Sequence, residues 1–271
     1  MTIHAASDNT RNARNAHNAH VDTQFGPRAN AYLTSAVHAS GADLDAMAAL
    51  VGSRPDAMAL DMGCGGGHVA FRLAPLVGKV VAVDLSASML RVVNSEAQRR
   101  GLHNLVTECA SAETLPHPAA TFDLALTRYS AHHWNDVPAG LAQMRRVLKP
   151  GGQAYFMDVV APGAALLDTW LQTLEVLRDP SHVRDASVGE WQSMLAAAGF
   201  VVGQVQTFRL RLEFASWVER MQTPPTHAAA IRSLQQRAPA EVSEYFGFEA
   251  DGSFTVDTVL ISAKAATTAN G

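Results

Sequence analysis

The sequence predicts an α/β fold in which helices cover both faces of a doubly wound, mostly parallel sheet. Apolar, β-branched runs alternate along the chain with segments of helical periodicity, and such runs are typical of strands buried on both faces. The chain has 271 residues, 48% of them hydrophobic, so it can bury a sizeable core without disulfides or a structural metal.

Seven strands and the helices between them follow from these runs in chain order. The predicted strands span residues 57–62, 79–85, 105–109, 122–127, 153–159, 201–212 and 253–263. The predicted helices span residues 23–39, 42–51, 67–76, 86–100, 136–148, 164–177 and 188–198. Ser86 is a possible N-cap of its helix, and Gly101 lies just past the end of the same helix.

The two ends of the chain and one long insert stand apart from this pattern. Residues 1–22 are biased towards Asn, Ala, Arg and His without apolar periodicity, so we expect a disordered arm, and we expect a disordered tail at 265–271. Residues 23–264 then form a single domain, in which 23–52 are N-terminal cap helices. The insert at 214–246 is long for a connection between two strands, which favours a lid.

Charge and cysteine content exclude several classes of protein. A net charge of −4 provides no overall attraction to nucleic acid or anionic membranes. Cys64 and Cys109 lie far apart, and no Cys or His group has metal-ligand spacing. No apolar run is long enough to span a membrane. We therefore expect a cytoplasmic protein, monomeric or homodimeric, with no nucleic-acid partner, no membrane span and no metal site.

A glycine-rich turn, Leu60-Asp61-Met62-Gly63-Cys64-Gly65-Gly66-Gly67-His68, joins the first strand to a helix. Glycines tolerate positive φ and let the backbone approach a ligand closely, and the helix N-terminus offers free N–H groups. The dinucleotide fingerprint needs a third glycine where His68 stands, so that fingerprint fails. Asp61 suits a ligand with a cationic end, such as the ammonium of an amino-acid moiety.

A second carboxylate, Asp84, ends the second strand about twenty residues after the glycine turn. A carboxylate at this place can accept hydrogen bonds from both hydroxyls of a ribose, which predicts an adenosyl ligand of some kind. The alternative is an acid that only caps the following helix.

These segments resemble class I S-adenosylmethionine-dependent methyltransferases, and within them the UbiE/YafE-like small-molecule group. Residues 60–67 and 83–86 look like the first two family motifs, and 110–118 with 121–124 resemble the third. The Leu148-Lys149-Pro150-Gly151-Gly152 turn is also similar. The resemblance implies a Rossmann-like, seven-stranded sheet with an antiparallel last strand, S-adenosyl-L-methionine as cofactor, and methyl transfer to a small molecule.

The resemblance also implies roles for individual residues. Asp61 would hold the methionine ammonium, Asp84 would bind the ribose, and Ala112 would offer its N–H to the adenine. Ser111 stands where the family often has Asp and accepts a hydrogen bond more weakly, so adenine binding leans on Glu113 or on backbone carbonyls. The remaining residues assigned to the cofactor are Gly63, Cys64, Gly65, Leu85, Met89 and Arg128, together with Tyr32 and Arg28 near the methionine carboxylate.

The acceptor is expected at the carboxyl end of the fourth strand, where Arg128-Tyr129-Ser130-Ala131-His132-His133-Trp134 resembles a segment of the same group. His132 or His133 is a candidate base, and structural roles for both stay open. A helical face of Phe214, Trp217, Val218 and Met221 marks either a lid or extra core. The substrate candidates, chosen for an apolar or aromatic acceptor, are Trp134, Trp217, Met221 and Trp170.

Three other functions compete with this interpretation. A nucleotide-dependent oxidoreductase is disfavoured by Asp61 and His68. A non-catalytic S-adenosylmethionine-binding protein would need neither polar residues after the fourth strand nor a lid. A nucleic-acid methyltransferase is disfavoured by the acidic charge and by the absence of an Asn/Asp-Pro-Pro-aromatic tetrad after Leu126.

Overall fold

The fold is built on one seven-stranded sheet, taken here from a computed structural model that describes residues 15–34 and 41–267. The strands are β1 (Arg54–Met62), β2 (Val77–Asp84), β3 (Leu105–Cys109), β4 (Phe122–Arg128), β5 (Leu148–Val159), β6 (Phe200–Leu212) and β7 (Phe254–Ala265). Their order is β3-β2-β1-β4-β5-β7-β6. The first five strands pair in parallel, whereas β7 runs antiparallel to β5 and β6. The predicted α/β fold is confirmed.

The helices lie between these strands much as the sequence predicts. They are α1 (residues 15–25), α2 (Ala29–Thr34), α3 (Ala42–Val51), α4 (His68–Leu73), α5 (Ala87–Arg99), α6 (Val137–Val147), α7 (Ala165–Arg178), α8 (Val188–Ala197), α9 (Phe214–Met221), α10 (Pro225–Gln236) and α11 (Ala240–Phe246). Ser86 caps α5, because its hydroxyl accepts a hydrogen bond from the Met89 N–H at 3.4 Å. None of the described helices is long and apolar enough to cross a membrane.

The N-terminal segment differs from the prediction. Residues 15–22, expected to be part of a disordered arm, belong to helix α1. The predicted helix at 23–39 is interrupted by a 3₁₀ turn at Gly26–Arg28, and residues 35–40 lie outside the described chain. Local periodicity gave no sign of α1 because this helix is held by distant contacts, such as the hydrogen bond between His17 Nε2 and the His133 carbonyl at 2.9 Å.

The C-terminal boundary also shifts slightly. Strand β7 continues to Ala265, one residue into the predicted tail, and Ala265 is buried. Residues 266 and 267 follow as irregular backbone, and residues 268–271 lie outside the described chain.

Apolar side chains fill three main regions. Two clusters cover the opposite faces of the sheet, and a third lies between α7, the end of β7 and the insert at 214–246. This insert folds as α9, α10 and α11, and its inward side chains are Trp217, Ile231, Val242 and Phe246. Each is at most 2% exposed. The insert is therefore packed against the rest of the domain through these side chains, and the lid role expected from sequence stays a prediction.

Candidate active site

The glycine turn after β1 is folded tightly against β2. Gly63, Gly65 and Gly67 all have positive φ, of 71°, 48° and 79°. The N–H groups of Gly63 and Cys64 both donate to the carbonyl of Val83, at 2.8 and 2.9 Å. A Cβ built on Gly65 would meet nothing within 4 Å. The backbone here is thus fixed in a left-handed conformation beside open space, which fits a ligand lying close to the chain.

Two carboxylates flank this turn. Asp61 is 1% exposed, and its Oδ2 accepts from the Ala70 N–H at 3.0 Å. Burial raises the pKa of Asp61 to about 7, although the hydrogen bond from Ala70 opposes the shift. Asp84 accepts from the N–H groups of Gly65 and Ser86, at 2.8 and 2.9 Å, and burial raises its pKa as well. Asp84 therefore shapes the turn in addition to facing the space beside it.

The turn opens into a cavity, called here the first cavity. The structure brings to it all but two of the residues assigned to the cofactor from sequence. These are Tyr32, Asp61, Gly63, Cys64, Gly65, Asp84, Leu85, Met89, Ala112, Glu113 and Arg128. Asn18 and Val21 of α1 also line this cavity, and sequence reasoning missed them because it assigned them to a disordered arm.

Arg28 and Ser111 are the two that the structure places elsewhere. Arg28 does not line the first cavity, because its Nη1 donates to the carbonyl of Gln24 one turn earlier. The Ser111 hydroxyl donates to the carboxylate of Glu113, which does line the cavity. Ser111 thus orients Glu113 and is not among the residues that line the first cavity.

Arg128 lines the first cavity but its charge already has a partner. Its Nε donates to Oδ2 of the buried Asp43 in α3 at 2.7 Å. His68, which breaks the dinucleotide fingerprint, places its Nε2 2.9 Å from the Tyr32 carbonyl. These two contacts tie the N-terminal cap helices to the rim of the site.

A second cavity adjoins the first. Phe25, Tyr32, Tyr129 and His133 line both, and we call these four residues the partition. The rings of Phe25 and His133 pack edge-to-face with centroids 4.9 Å apart. Tyr129 has a φ of 51°, an uncommon conformation for a bulky residue, directly after β4.

The second cavity has one apolar side and one charged side. Val159, Leu210, Leu212 and Trp217 form the apolar side. The charged and polar side consists of His132, Glu175, Arg178, Asp185 and Arg220. Sequence reasoning missed the last four of these. The one local signal was Glu175 and Arg178 within an otherwise apolar helical face, which a periodicity argument treats as core.

The paired histidines have opposite electrostatic environments. His132 Nδ1 lies 2.5 Å from Oδ1 of Asp158. Burial lowers the pKa of His132, but the charge of Asp158 outweighs that effect and raises it to about 9. Burial and the neighbouring charge of His132 lower the pKa of His133 to about 3. At pH 7 His132 is therefore protonated, and His133 is neutral and donates from Nδ1 to the Ser181 carbonyl at 3.2 Å.

The four predicted substrate residues divide between cavity walls and core. Trp134 lines the first cavity and donates from Nε1 to the Ser130 hydroxyl at 3.1 Å, and Trp217 lines the second although it is 2% exposed. Met221 lines neither of these cavities, because it is buried against Tyr32, whose hydroxyl lies 3.0 Å from its sulfur. Trp170 also lines neither and packs against the insert's apolar cluster.

Comparison with known proteins agrees with this geometry. The methyltransferase domain family matches residues 60–156, which contain the glycine turn and the carboxyl end of β4. The uncharacterized protein YafE of Escherichia coli is 48% identical over 197 residues, covering 73% of this chain and 95% of its own. The uncharacterized methyltransferase YcgJ of Bacillus subtilis is 35% identical over 225 residues, covering 83% of this chain and 89% of its own.

Solved structures give the same result. The crystal structure of YcgJ superimposes with a TM-score of 0.79, covering 83% of this chain and 98% of that one at 33% identity. A putative methyltransferase from Bacillus halodurans gives a TM-score of 0.81 at 29% identity, covering 84% of this chain and all of the other. The fold and the site thus define a methyltransferase.

The chain belongs to the class I S-adenosylmethionine-dependent methyltransferases, and the predicted resemblance to the UbiE/YafE-like group is confirmed. The oxidoreductase alternative is not favoured by these relatives.

Proposed function

We propose that this protein transfers a methyl group from S-adenosylmethionine in the first cavity to a small molecule in the second cavity. The observation that carries this proposal is the partition, since Phe25, Tyr32, Tyr129 and His133 line both cavities. A methyl group moves between donor and acceptor by in-line displacement, which requires the two ligands to meet end to end with water excluded. Two adjoining cavities with shared walls suit that geometry.

The residues of the first cavity fit the proposed cofactor. Asp61 offers a buried carboxylate to the ammonium, Asp84 offers acceptor oxygens to the ribose hydroxyls, and Gly65 leaves open space beside its backbone. Bound S-adenosylmethionine supplies an electrophilic methyl group on a sulfonium. The protein contributes binding, alignment and exclusion of water.

The second cavity supports a different acceptor from the apolar one expected from sequence. Its apolar side accommodates a hydrocarbon body, but its other side presents Arg178, Arg220 and two carboxylates. The Oδ2 atom of Asp185 on that side is buried without a hydrogen-bond partner, which costs free energy, so the acceptor should bring polar atoms to that side. We infer an amphipathic acceptor of modest size. The neutral His133 can accept a hydrogen bond from it at the partition.

Replacing His133 with alanine should impair methyl transfer without impairing cofactor binding. We expect formation of methylated product to fall at least tenfold. Affinity for S-adenosylhomocysteine should change by no more than about threefold, ~0.6 kcal/mol. The measurements are calorimetry with S-adenosylhomocysteine and mass detection of product from a small-molecule extract supplied with a methyl donor carrying an isotopic label.

The matched control is His103→Ala, because His103 is exposed and remote from both cavities. It should alter neither quantity. A labelled product that forms equally well with His133→Ala, or no labelled product at all from a wild-type protein that binds S-adenosylhomocysteine, would contradict the proposal.

Affinity for S-adenosylhomocysteine should rise as the pH increases from 6 to 8. Because the pKa of Asp61 is raised to about 7, this carboxyl is mostly protonated at pH 6 and must lose its proton to pair with an ammonium group. We expect an increase of roughly tenfold over this range, accompanied by proton release. Calorimetry in buffers of different ionisation enthalpy measures both.

The control for this pH effect is Asp61→Asn, which keeps the shape and removes the titration. The variant should bind more weakly at pH 8, and its affinity should vary little between pH 6 and 8. An unchanged pH dependence in Asp61→Asn would assign the effect to another group.

A further inference from the structure

Three side chains from distant parts of the chain converge on the polar side of the second cavity. His132 follows β4, Asp158 lies near the end of β5, and Asp185 lies in the segment between α7 and α8. One donor atom from each lies within 4.8 Å of the other two. A transition-metal ion bound to three such atoms at about 2.1 Å holds them about 3.0–3.4 Å apart. The separations between the three donor atoms are therefore within about 2 Å of those that a bound ion sets.

Asp185 provides a second, independent observation that points to a ligand at this position. The residue is 1% exposed, yet its Oδ2 has no hydrogen-bond partner. The neighbouring His182 Nε2 is 3.9 Å away and is paired with Oε1 of Gln172 at 2.9 Å. A buried carboxylate oxygen without a donor is costly, and a bound cation removes that cost.

The charge around this cluster also favours a cation. Four carboxylates, those of Asp158, Glu175, Asp179 and Asp185, are buried in and behind the polar side of the cavity. Among the described residues, the arginines that line the same cavity are Arg178 and Arg220. The carboxylates in this group therefore outnumber the arginines, and a divalent cation that replaces the proton of His132 adds positive charge beside them.

The donor set indicates which kind of cation fits. Carboxylates favour hard ions such as Mg²⁺ and Mn²⁺, whereas imidazole favours transition metals. One imidazole with two carboxylates therefore suits Mn²⁺ better than Mg²⁺. Because His132 and Asp185 both line the second cavity, the remaining coordination positions face the acceptor space.

We propose that His132, Asp158 and Asp185 bind a divalent transition-metal cation that orients the acceptor through the acceptor's oxygen atoms. The second half of this proposal rests on the proposed function and narrows the acceptor class to small molecules with a metal-binding oxygen, such as a carboxylate, enolate or phenolate. The first half, cation binding, stands without it. Sequence reasoning predicted no metal site because the three ligands are separated by 26 and 27 residues and share no local motif.

The test uses the full chain, stripped of metal with a chelator and then dialysed. Calorimetry with Mn²⁺ should show one site per chain, and Mn²⁺ should raise the thermal midpoint. Asp185→Asn should weaken Mn²⁺ binding at least tenfold. Without metal, this variant should be no less stable than the wild type, because it removes a buried unpaired carboxylate. The matched control is Asp168→Asn, a nearby carboxylate outside the cluster, which should bind Mn²⁺ as the wild type does.

Two results would overturn the cation site. One is the absence of stoichiometric Mn²⁺ or Zn²⁺ binding, and the other is equal binding by Asp185→Asn, which would place the ion elsewhere. Affinity for S-adenosylhomocysteine is measured in the same preparations. A protein that fails to bind S-adenosylhomocysteine would count against the proposed function and not against the cation site. Product formation that is as fast in stripped protein as in Mn²⁺-loaded protein would overturn the orienting role alone.

Discussion

Replacing Asp84 with alanine should lower affinity for S-adenosylhomocysteine about 100-fold, or ~3 kcal/mol. The carboxylate does two things at once in the structure. It accepts hydrogen bonds from the N–H groups of Gly65 and Ser86, at 2.8 and 2.9 Å, and it lines the first cavity. Alanine removes the acceptors proposed for the ribose and leaves the Gly65 N–H without its partner.

A matched control separates ligand binding from stability. Asp123 in β4 also accepts a hydrogen bond from a backbone N–H, that of Met58 at 2.9 Å, but it lines neither of the two cavities described above. Asp123→Ala should therefore lower the free energy of unfolding without changing the affinity. Equal affinities in the two variants, measured by calorimetry on folded protein, would remove Asp84 from the binding site.

The cofactor half of the site could be predicted from sequence because its residues are local. The glycine turn and Asp84 each follow a strand directly, and the carboxyl ends of neighbouring parallel strands meet at one edge of the sheet. Their place in the fold follows once the strands are recognised. The structure then adds what the sequence does not contain, such as the hydrogen bond that joins Asp84 to Gly65 across the turn.

The acceptor half could not be predicted in this way. Glu175, Asp185 and Arg220 come from three separate segments and meet only through the packing of α7 and the insert. A helical apolar stripe shows that Trp217 is buried but not what it is buried against, so the stripe alone does not choose between core and lid. In the structure Trp217 belongs to the third apolar cluster and also lines the second cavity.

The roles of the two histidines also could not be assigned from sequence. His132 and His133 are adjacent on an irregular turn, so the sequence does not indicate which of them is the candidate base. Their roles differ because Asp158 lies beside His132, whereas the Ser181 carbonyl and the partition lie beside His133. Both partners are long-range contacts, and no local pattern contains them.

Alanine substitutions at Gly63 and Gly65 of the same turn should affect different quantities. The first should mainly lower stability, and the second should mainly lower ligand affinity. A Cβ on Gly63 would lie 1.8 Å from the Ser130 hydroxyl oxygen and 2.7 Å from the Ser130 Cβ. That hydroxyl accepts the hydrogen bond from Trp134, so displacing it disturbs the wall of the first cavity. We expect Gly63→Ala to lower the free energy of unfolding by about 3 kcal/mol or more, as overpacking adds to left-handed strain.

Gly65→Ala should instead be tolerated by the fold but not by the ligand. A Cβ on Gly65 meets no atom within 4 Å, so its cost to stability is the left-handed conformation alone, about 1 kcal/mol. The same methyl group occupies space beside the cavity, and affinity for S-adenosylhomocysteine should fall at least tenfold. Gly101→Ala is the control, since Gly101 has a φ of 69° and equally open surroundings away from the cavity. Chemical denaturation and calorimetry on the three variants measure both quantities, and a Gly65→Ala protein that binds as tightly as Gly101→Ala would show that the turn does not contact the ligand.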